Sequence, residues 1–320
     1  MRIAIVALED VFDTGLSALL DTFETATELG TLPFAVSVVS VRARVRTHHG
    51  FAVPATKPPT RAPDLVIVPA LACKQPASIV EALERPDVRD AIELVRRWST
   101  GGTRIAAACT GTFVLGRSGL LDGHRATTSW WLGPAFRREF PAVELDDGQM
   151  VVAERHAITA GAALAHLDLA LAVIRERSPN LAALVARFLM LDDRASQAPF
   201  AIPDHVAYDD ELVKKFETWV RDHLAQPFEL ARASRAIGAS ERTLQRRIRT
   251  VLGKRPLGFV QDLRLERAVH LLRVSRDSVD EVAQAVGYED GSTLRTLLRR
   301  KLAIGVRELR RSGPIAGASG

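Results

Sequence analysis

The stretch TRIAAACTGTFVLGRSGLL, residues 103–121, carries the pattern that decides the fold. Residues 103–108 predict a buried strand, Cys109 to Gly111 predict a sharp turn, and residues 113–121 predict a helix. Such a turn exposes the Cys109 side chain at the carboxyl end of a parallel sheet, where ligand sites of open α/β folds lie. The stretch therefore predicts an α/β domain with a candidate site at Cys109.

The segments around this stretch repeat the alternation of strand and helix. Apolar and β-branched runs predict strands over residues 2–8, 34–41 and 64–69, and shorter ones within 142–160. Apolar residues at three-to-four spacing predict helices over 15–29, 162–178 and 180–190, and over much of 77–99. Alternating strands and helices form a largely parallel sheet covered on both faces. We therefore expect residues 1–191 to form a flavodoxin-like doubly wound domain.

The pattern changes at DDRASQAPFAIPDHVAYD, residues 192–209, which we interpret as a linker between domains. This segment holds two prolines and several small polar residues, and it shows no periodicity. Residues 210–312 are rich in arginine and show helical spacing throughout, which predicts an all-α domain. The small residues of 313–320 predict a disordered tail.

Charge is distributed unevenly between these parts. Residues 211–312 hold 22 Lys and Arg against 13 Asp and Glu, a net of +9, whereas the chain as a whole carries +5. A basic module joined to a mildly acidic one indicates that one half meets a polyanion, although a solvated basic surface would give the same count.

Several classes of protein are disfavoured by the sequence. The amino-terminal residues lack the apolar core and cleavage site of a secretory signal, and no run approaches the roughly 18 apolar residues of a membrane-spanning helix. Cys73 and Cys109 are too few for a metal cluster, and nothing indicates a cofactor. We expect a cytoplasmic protein without a membrane partner.

The first candidate DNA-binding motif is FELARASRAIGASERTLQRRIRTVLG, residues 228–253. Gly238 can supply the left-handed turn between two helices, and Ser240 is a good N-cap for the second. Leu244 and Ile248 predict the buried face of that helix. Its other face presents arginine and glutamine, which can read guanine and adenine edges in the major groove.

The second candidate motif is DSVDEVAQAVGYEDGSTLRTLLRRKLAIG, residues 277–305. Ser278 and Glu281 predict a capping box, and Gly287 predicts the end of the first helix. The helix expected between the motifs, from Pro256 to about Arg273, would span roughly 27 Å. It could hold two recognition helices about one DNA turn apart. Each motif alone could be an ordinary helical hairpin, but two in tandem on a basic domain favour DNA binding.

Residues 211–312 resemble the DNA-binding domain of the AraC/XylS family of bacterial regulators. The resemblance rests on SERTLQRRIRTVLGKRPLGFVQDLRLERAVHLL and VDEVAQAVGYEDGSTLRTLLRRKLAIGVRELRR. Together with the motif pattern, it implies the following DNA-facing residues: Ser240, Arg242, Thr243, Gln245, Arg246, Arg249, Gly291, Ser292, Arg295, Thr296 and Arg299. The family usually has arginine where this chain has Thr296, and large aromatics where it has Leu294 and Leu298. These departures weaken the expected base reading by the second motif.

Residues 1–190 resemble the PfpI-like, class I glutamine amidotransferase-like fold, and in particular the GlxA-type regulators that join it to an AraC-type domain. The resemblance rests on LLDTFETA, DLVIVPA, IAAACTGTFVLGRSGLLDGHRATTSWW and HAITAGAALAHLDLALAVI. It implies that Cys109 occupies the nucleophile position and that Asp21 stands where enzymatic relatives have a glutamate. The expected ligand pocket comprises Asp21, Cys109, Thr110 and Ser129.

Two departures from the enzymatic relatives argue against catalysis. Those relatives place a histidine about twenty residues after the cysteine, and Ser129 stands there in this chain. A cysteine without a positioned base lacks the general acid/base partner that acyl transfer requires. The glycine pair that offers backbone donors to an oxyanion is replaced by Ala70 and Leu71. We therefore expect no catalytic residues.

The leading hypothesis is a transcription regulator that binds double-stranded DNA, forms a homodimer and responds to a small-molecule effector through a non-catalytic domain. One alternative is a cysteine-dependent hydrolase or amidase that also binds DNA. Another is an architectural DNA-binding protein whose first domain serves only for dimerisation.

Overall fold

The computed structural model describes residues 1–31, 33–192, 194, 196–197, 210–302 and 305–311. The chain forms two compact units, Met1–Gln197 and Ala198–Gly320. The predicted tail over 313–320 and most of the predicted linker lie outside the described residues.

The first unit is built on a sheet whose strands are mostly parallel. Its strands are β1 (Arg2–Val6), β2 (Ala35–Val39), β3 (Leu65–Val68), β4 (Arg104–Ala108), β5 (Arg125–Ala126), β6 (Glu144–Leu145), β7 (Val151–Ala153) and β8 (Ala157–Ala160). Within the described residues, six of them form one sheet in the order β2-β1-β3-β4-β8-β7, in which only β7 runs antiparallel to its neighbour. Strands β5 and β6 form a separate parallel pair. This sheet confirms the predicted doubly wound α/β fold.

Helices cover both faces of that sheet. They are α1 (Asp13–Leu29), α2 (Pro76–Leu83), α3 (Pro86–Thr100), α4 (Gly111–Arg117), α5 (Gly133–Glu139), α6 (Ala165–Arg177) and α7 (Pro179–Phe188). Alternate strand residues point to opposite faces, so Ile3 and Ile5 of β1 pack with α1, α6 and α7. Ala4 and Val6 pack in the other core, with α2 to α5.

One helix expected over much of 77–99 is divided into two. The structure places a break between α2 and α3, where Arg85 has extended backbone with φ −65° and ψ 143°. The ring of Pro86 disfavours helical backbone at the residue before it, which explains the extended Arg85. Pro86 itself begins α3, where its missing N–H leaves no hydrogen bond unmade.

The second unit is helical throughout its described residues, as predicted. Its helices are α8 (Glu211–Asp222), α9 (Leu230–Ala236), α10 (Glu241–Leu252), α11 (Pro256–Val274), α12 (Val279–Ala285), α13 (Gly291–Leu302) and α14 (Val306–Arg311). The first half of α11 packs with α8 to α10, and its second half packs with α12 to α14. Two small cores therefore share one long helix.

Among the described residues, no helix combines the length and apolar character needed to cross a membrane.

Candidate nucleic-acid interface and ligand site

Helices α9 and α10 form the first helix-turn-helix pair, with the turn that the sequence predicts. Gly238 lies after α9 with φ +73°, in the left-handed region that glycine adopts without strain. The Ser240 hydroxyl oxygen accepts the backbone N–H of Thr243 at 3.1 Å and caps α10. Leu244 and Ile248 are buried in the core beneath. These local features confirm the predicted motif.

The outer face of α10 carries long polar side chains exposed to solvent: Arg242, Gln245, Arg246 and Arg249. In the described part of the chain, none of these arginines forms an ion pair with a carboxylate. Arg247 differs from them, because it pairs with Asp210 at the N-cap of α8. The unpaired arginines therefore give one side of α10 uncompensated positive charge.

The second pair, α12 and α13, begins with the predicted capping box. The Ser278 side chain accepts the N–H of Glu281 at 3.1 Å, and the Glu281 carboxylate accepts the N–H of Ser278 at 2.6 Å. Gly287 follows α12 with φ +87°. Sequence reasoning missed Asp290, whose carboxylate caps α13 by accepting the N–H groups of Ser292 and Thr293.

Gly291 is a correction to the predicted DNA-facing set. It is buried at the start of α13 and donates its N–H to the Asp280 carboxylate at 2.8 Å. A Cβ atom at this position would lie 2.8 Å from that carboxylate oxygen and 3.1 Å from Val279. The residue is small because α12 and α13 approach each other closely here, and it does not present a free group to DNA.

The other predicted residues of α13 are exposed but differ in the groups they offer. The Ser292 hydroxyl donates to Asp290 at 2.5 Å, and the Thr296 hydroxyl donates to the Ser292 carbonyl at 2.9 Å. Arg295 and Arg299 are exposed. Within the described residues, neither arginine has a carboxylate partner. The exposed face of α13 therefore offers positive charge to a ligand, whereas its hydroxyl groups already have partners within the chain.

Polar contacts from α11 join the two motifs. Arg264 is 7% exposed and donates to the Leu224 carbonyl at 3.0 Å and to the Gln226 carbonyl at 2.5 Å. Its guanidinium also lies 5.4 Å from the centre of the Tyr288 ring, beyond the end of α12. Arg264 therefore links residues just before the first motif to a residue within the second motif.

In the first unit, Cys109 lies at the turn after β4, as predicted. Its φ of +55° is uncommon for a residue other than glycine and marks a sharp strand-to-helix turn. The thiol is buried and lies 2.8 Å from the Ser129 hydroxyl. The Thr110 hydroxyl donates to the Leu71 carbonyl at 2.6 Å. The structure thus brings Cys109, Thr110 and Ser129 together, but all three are buried, so the expected exposure of the Cys109 side chain is wrong.

Asp21 is not part of this cluster, contrary to the expected pocket. It is exposed on α1, whereas the face of α1 that packs on the sheet carries Leu19 and Phe23. Its carbonyl accepts a hydrogen bond from Thr25 within the helix. No contact among the described residues joins Asp21 to Cys109, so the expected acidic neighbour of the thiol is wrong.

His166 has a role that the sequence did not reveal. Its Nδ1 lies 2.6 Å from the Ala163 carbonyl, and its Nε2 lies 3.1 Å from the Ala70 amide nitrogen. Nδ1 therefore donates and Nε2 accepts, which defines a neutral tautomer. Burial lowers the pKa of His166 to about 4. The spacing of His166 from Leu169 and Ala170 could have predicted its burial, because it puts all three residues on the same face of α6.

This hydrogen bond occupies the backbone N–H of Ala70. Ala70 stands where enzymatic relatives offer a backbone donor to an oxyanion, and here its N–H is satisfied by His166. Burial raises the pKa of the Cys109 thiol, against the opposing effect of hydrogen bonds with Ser129 and Thr110. A protonated thiol without a base is a poor nucleophile. In the described part of the chain, no three His, Cys, Asp or Glu side chains cluster to hold a metal.

The start of the predicted linker belongs to the first unit. Arg194 pairs with Asp168 of α6 at 2.5 Å, and Gln197 is 1% exposed. Hydrophobic periodicity could not reveal this docking, because polar contacts hold the segment in place.

Two family models match the chain. The DJ-1/PfpI family model covers residues 1–176, and a helix-turn-helix domain model covers residues 233–312. The transcriptional regulator GbdR of Pseudomonas aeruginosa is 25% identical over 73% of this chain. The transcriptional regulator GlxA of Rhizobium meliloti is 28% identical over 64% of it. In both cases the match spans 64% of the relative's own length.

A solved structure shares the fold of the first unit. It is an AraC family transcriptional regulator from Pseudomonas putida, matched with a TM-score of 0.50 and 20% identity over 59% of this chain and 98% of that one. At this identity the likeness concerns the fold alone.

Proposed function

The chain belongs to the DJ-1/PfpI family and carries an AraC-type helix-turn-helix domain, and we propose that it is a sequence-specific DNA-binding transcription regulator. In this proposal the family domain senses a small-molecule effector and does not catalyse its conversion. The whole protein acts in the cytoplasm as a homodimer on duplex DNA.

The observation that carries the proposal is the charge on the two recognition helices. Six arginines of α10 and α13 are exposed and have no carboxylate partner among the described residues: Arg242, Arg246, Arg249, Arg295, Arg299 and Arg300. Two other basic side chains of these helices, Arg247 and Lys301, are ion-paired. Unpaired arginine on the helices that enter the major groove in this motif suits a polyanion.

The test is a fluorescence anisotropy titration of the full chain with duplex fragments from upstream of its own gene. Saturable binding that prefers one fragment over random duplex of equal length supports the proposal. Equal affinity for all fragments would favour the architectural alternative, and no binding to any of them would contradict DNA binding itself. A sedimentation-equilibrium mass of one chain would contradict the dimer.

The two recognition helices are expected to divide the work of binding. Gln245→Ala or Arg246→Ala should flatten the preference at one or two base positions, each bidentate base contact contributing about 1–3 kcal/mol of discrimination. Arg295→Ala should weaken binding to all sequences by similar factors, as the loss of a phosphate contact does. Ser292→Ala should change little, since its hydroxyl is held by Asp290. Randomised-site selection with each variant measures these outcomes.

The matched control is Arg61→Ala, which removes one exposed arginine from the first unit. It should leave both affinity and preference unchanged. If Arg295→Ala alters the preferred base while Gln245→Ala and Arg246→Ala do not, the assignment of the two helices is reversed.

We also expect the chain to lack cysteine-dependent turnover. The raised pKa of Cys109 and the satisfied N–H of Ala70 remove the nucleophile and one oxyanion donor. Product formation from glutamine, small amides and methylglyoxal should equal the buffer rate, for the wild type and for Cys109→Ala alike. Turnover in the wild type that Cys109→Ala abolishes would establish the enzyme alternative.

A further inference from the structure

Gln197 inserts its carboxamide into a polar chamber of the first unit. Its side-chain oxygen accepts the backbone N–H of Trp130 at 3.3 Å. Its side-chain nitrogen lies 2.9 Å from the carbonyl oxygens of Thr128 and Gln149, and 3.2 Å from the Asp147 carbonyl and the Thr127 hydroxyl. The side chain is thus bonded at both of its polar atoms, with no charged partner.

The chamber offers hydrogen-bond partners to both polar atoms of a primary amide. Four oxygen acceptors surround a nitrogen that carries two N–H donors, and one N–H donor faces the amide oxygen. A Cβ atom on Gly161 would lie 2.2 Å from the Gln197 amide, so a larger residue there would fill the space that the amide occupies. An ammonium group would satisfy the acceptors but would leave the Trp130 N–H unpaired.

The chamber adjoins the Cys109 site. Thr128, which supplies one carbonyl to Gln197, also donates its hydroxyl to the Cys109 carbonyl at 2.7 Å. Ser129, the next residue, contacts the thiol. Gly161 follows β8, so the chamber lies at the carboxyl ends of neighbouring parallel strands, where ligands bind in open α/β sheets.

Gln197 is also the last described residue before the second unit in sequence. Its backbone N–H donates to the Gly148 carbonyl at 2.9 Å, and the Ser196 hydroxyl donates to the same carbonyl at 2.8 Å. The chain then continues through 198–209 to Asp210, which caps α8. Displacement of the Gln197 side chain would therefore remove the contacts with Trp130 and Thr128 that help to hold the residue directly before this stretch of chain.

We propose that Gln197 is an internal occupant of a carboxamide-binding chamber, and that a small primary amide taking its place releases the segment before the helix-turn-helix domain. This proposal rests on the proposed function for its regulatory meaning, because release is useful only if the second unit binds DNA. The chamber itself is defined by the first unit alone.

The probe is propionamide, a small primary amide with the same carboxamide group as the Gln197 side chain. In full-length Gln197→Ala, propionamide should fill the vacated chamber and raise the melting temperature by at least about 3 °C at saturating concentration. Propionate, which lacks N–H donors, should not raise the melting temperature. Propylammonium, which lacks an acceptor, should not raise it either. The matched control is Gln149→Ala, because Gln149 has an exposed side chain and contributes only its carbonyl. The proposed chamber would be contradicted if propionamide raised the melting temperatures of both variants equally. It would also be contradicted if all three probes raised that of Gln197→Ala equally.

A second measurement needs no variant. In the wild-type chain, excess propionamide should speed hydrogen exchange of the Gln197 backbone N–H, which is bonded to Gly148 in the docked segment. Unchanged exchange at saturating propionamide would contradict displacement, even if Gln197→Ala failed to fold.

The regulatory step is read from DNA affinity, measured by anisotropy with the full chain. Gln197→Ala should change the dissociation constant by at least about threefold. Saturating propionamide should change the dissociation constant of the wild type in the same direction and leave that of Gln197→Ala unchanged. If the DNA affinity is unchanged but the melting temperature rises, the chamber binds the amide but is not coupled to DNA binding. Failure of the wild type to bind DNA would instead contradict the proposed function, and the thermal shift would still decide the chamber.

Discussion

Raising the salt concentration from about 50 mM to about 200 mM is expected to weaken DNA binding about 500-fold for each bound chain. The six exposed arginines of α10 and α13 have no carboxylate partner among the described residues, so each is available to DNA. Arg246 is expected to contact a base, and about five phosphate contacts by the others give a slope of roughly −4.5 per bound chain in a plot of log affinity against log salt. Anisotropy titrations at four or five salt concentrations measure that slope directly.

The same titration on single variants separates phosphate contacts from other losses. Arg299→Ala should reduce the slope by about one, since one fewer counterion is released. Lys301→Ala is a useful control, because Lys301 is already paired with Asp262 at 2.5 Å and should contribute little. A wild-type slope shallower than about −2 would mean that the exposed arginines do not meet phosphates, and it would undermine the interface assigned to α10 and α13.

The features predicted correctly from the sequence are those decided by neighbours along the chain. The strand, turn and helix around Cys109 follow from one apolar run and the small residues after it. The capping box of α12 needs only Ser278 and Glu281, three residues apart. Gly238 and Ser240 likewise act within one turn of chain. Such interactions depend on local spacing, which the sequence displays.

The features that were missed depend on partners far away in sequence. His166 bonds to Ala70 across 96 residues, and Gln197 bonds to Thr128 across 69. The sequence places Gly291 among the DNA-facing residues of α13. Its burial follows only from the packing of α13 against α12, which the sequence does not show. Asp21 was assigned to the pocket by resemblance, whereas the orientation of α1 leaves it in solvent. Tertiary packing decides these positions, and no local pattern records it.

The stability of the first unit is expected to fall in mild acid because of His166. Its pKa is about 4 in the folded chain against 6.5 ordinarily, and burial is the cause. Between these two pH values His166 is protonated in the unfolded chain but stays neutral in the folded chain. The free energy of unfolding therefore decreases as the pH falls. Above about pH 6.5 this group contributes no pH dependence. Across the whole window the loss is about 3 kcal/mol.

Urea unfolding of the full chain at about pH 7, 6, 5 and 4.5 measures this loss. A Trp219→Phe background removes the tryptophan of the second unit, so the fluorescence reports the first unit through Trp98, Trp130 and Trp131. His166→Gln keeps a hydrogen-bond donor and an acceptor but does not titrate, so its unfolding free energy should fall much less between pH 7 and 4.5 than that of the wild type.

The pH slope, not the absolute stability, is the deciding quantity in this comparison, because a glutamine side chain would fit the imidazole site less well at every pH. His156 also has a pKa lowered by burial, and its effect acts in the same direction in every variant. His48→Gln, which changes an exposed imidazole, should keep the wild-type slope. If His166→Gln keeps that slope as well, the imidazole does not resist protonation and its hydrogen bond to Ala70 does not hold as described.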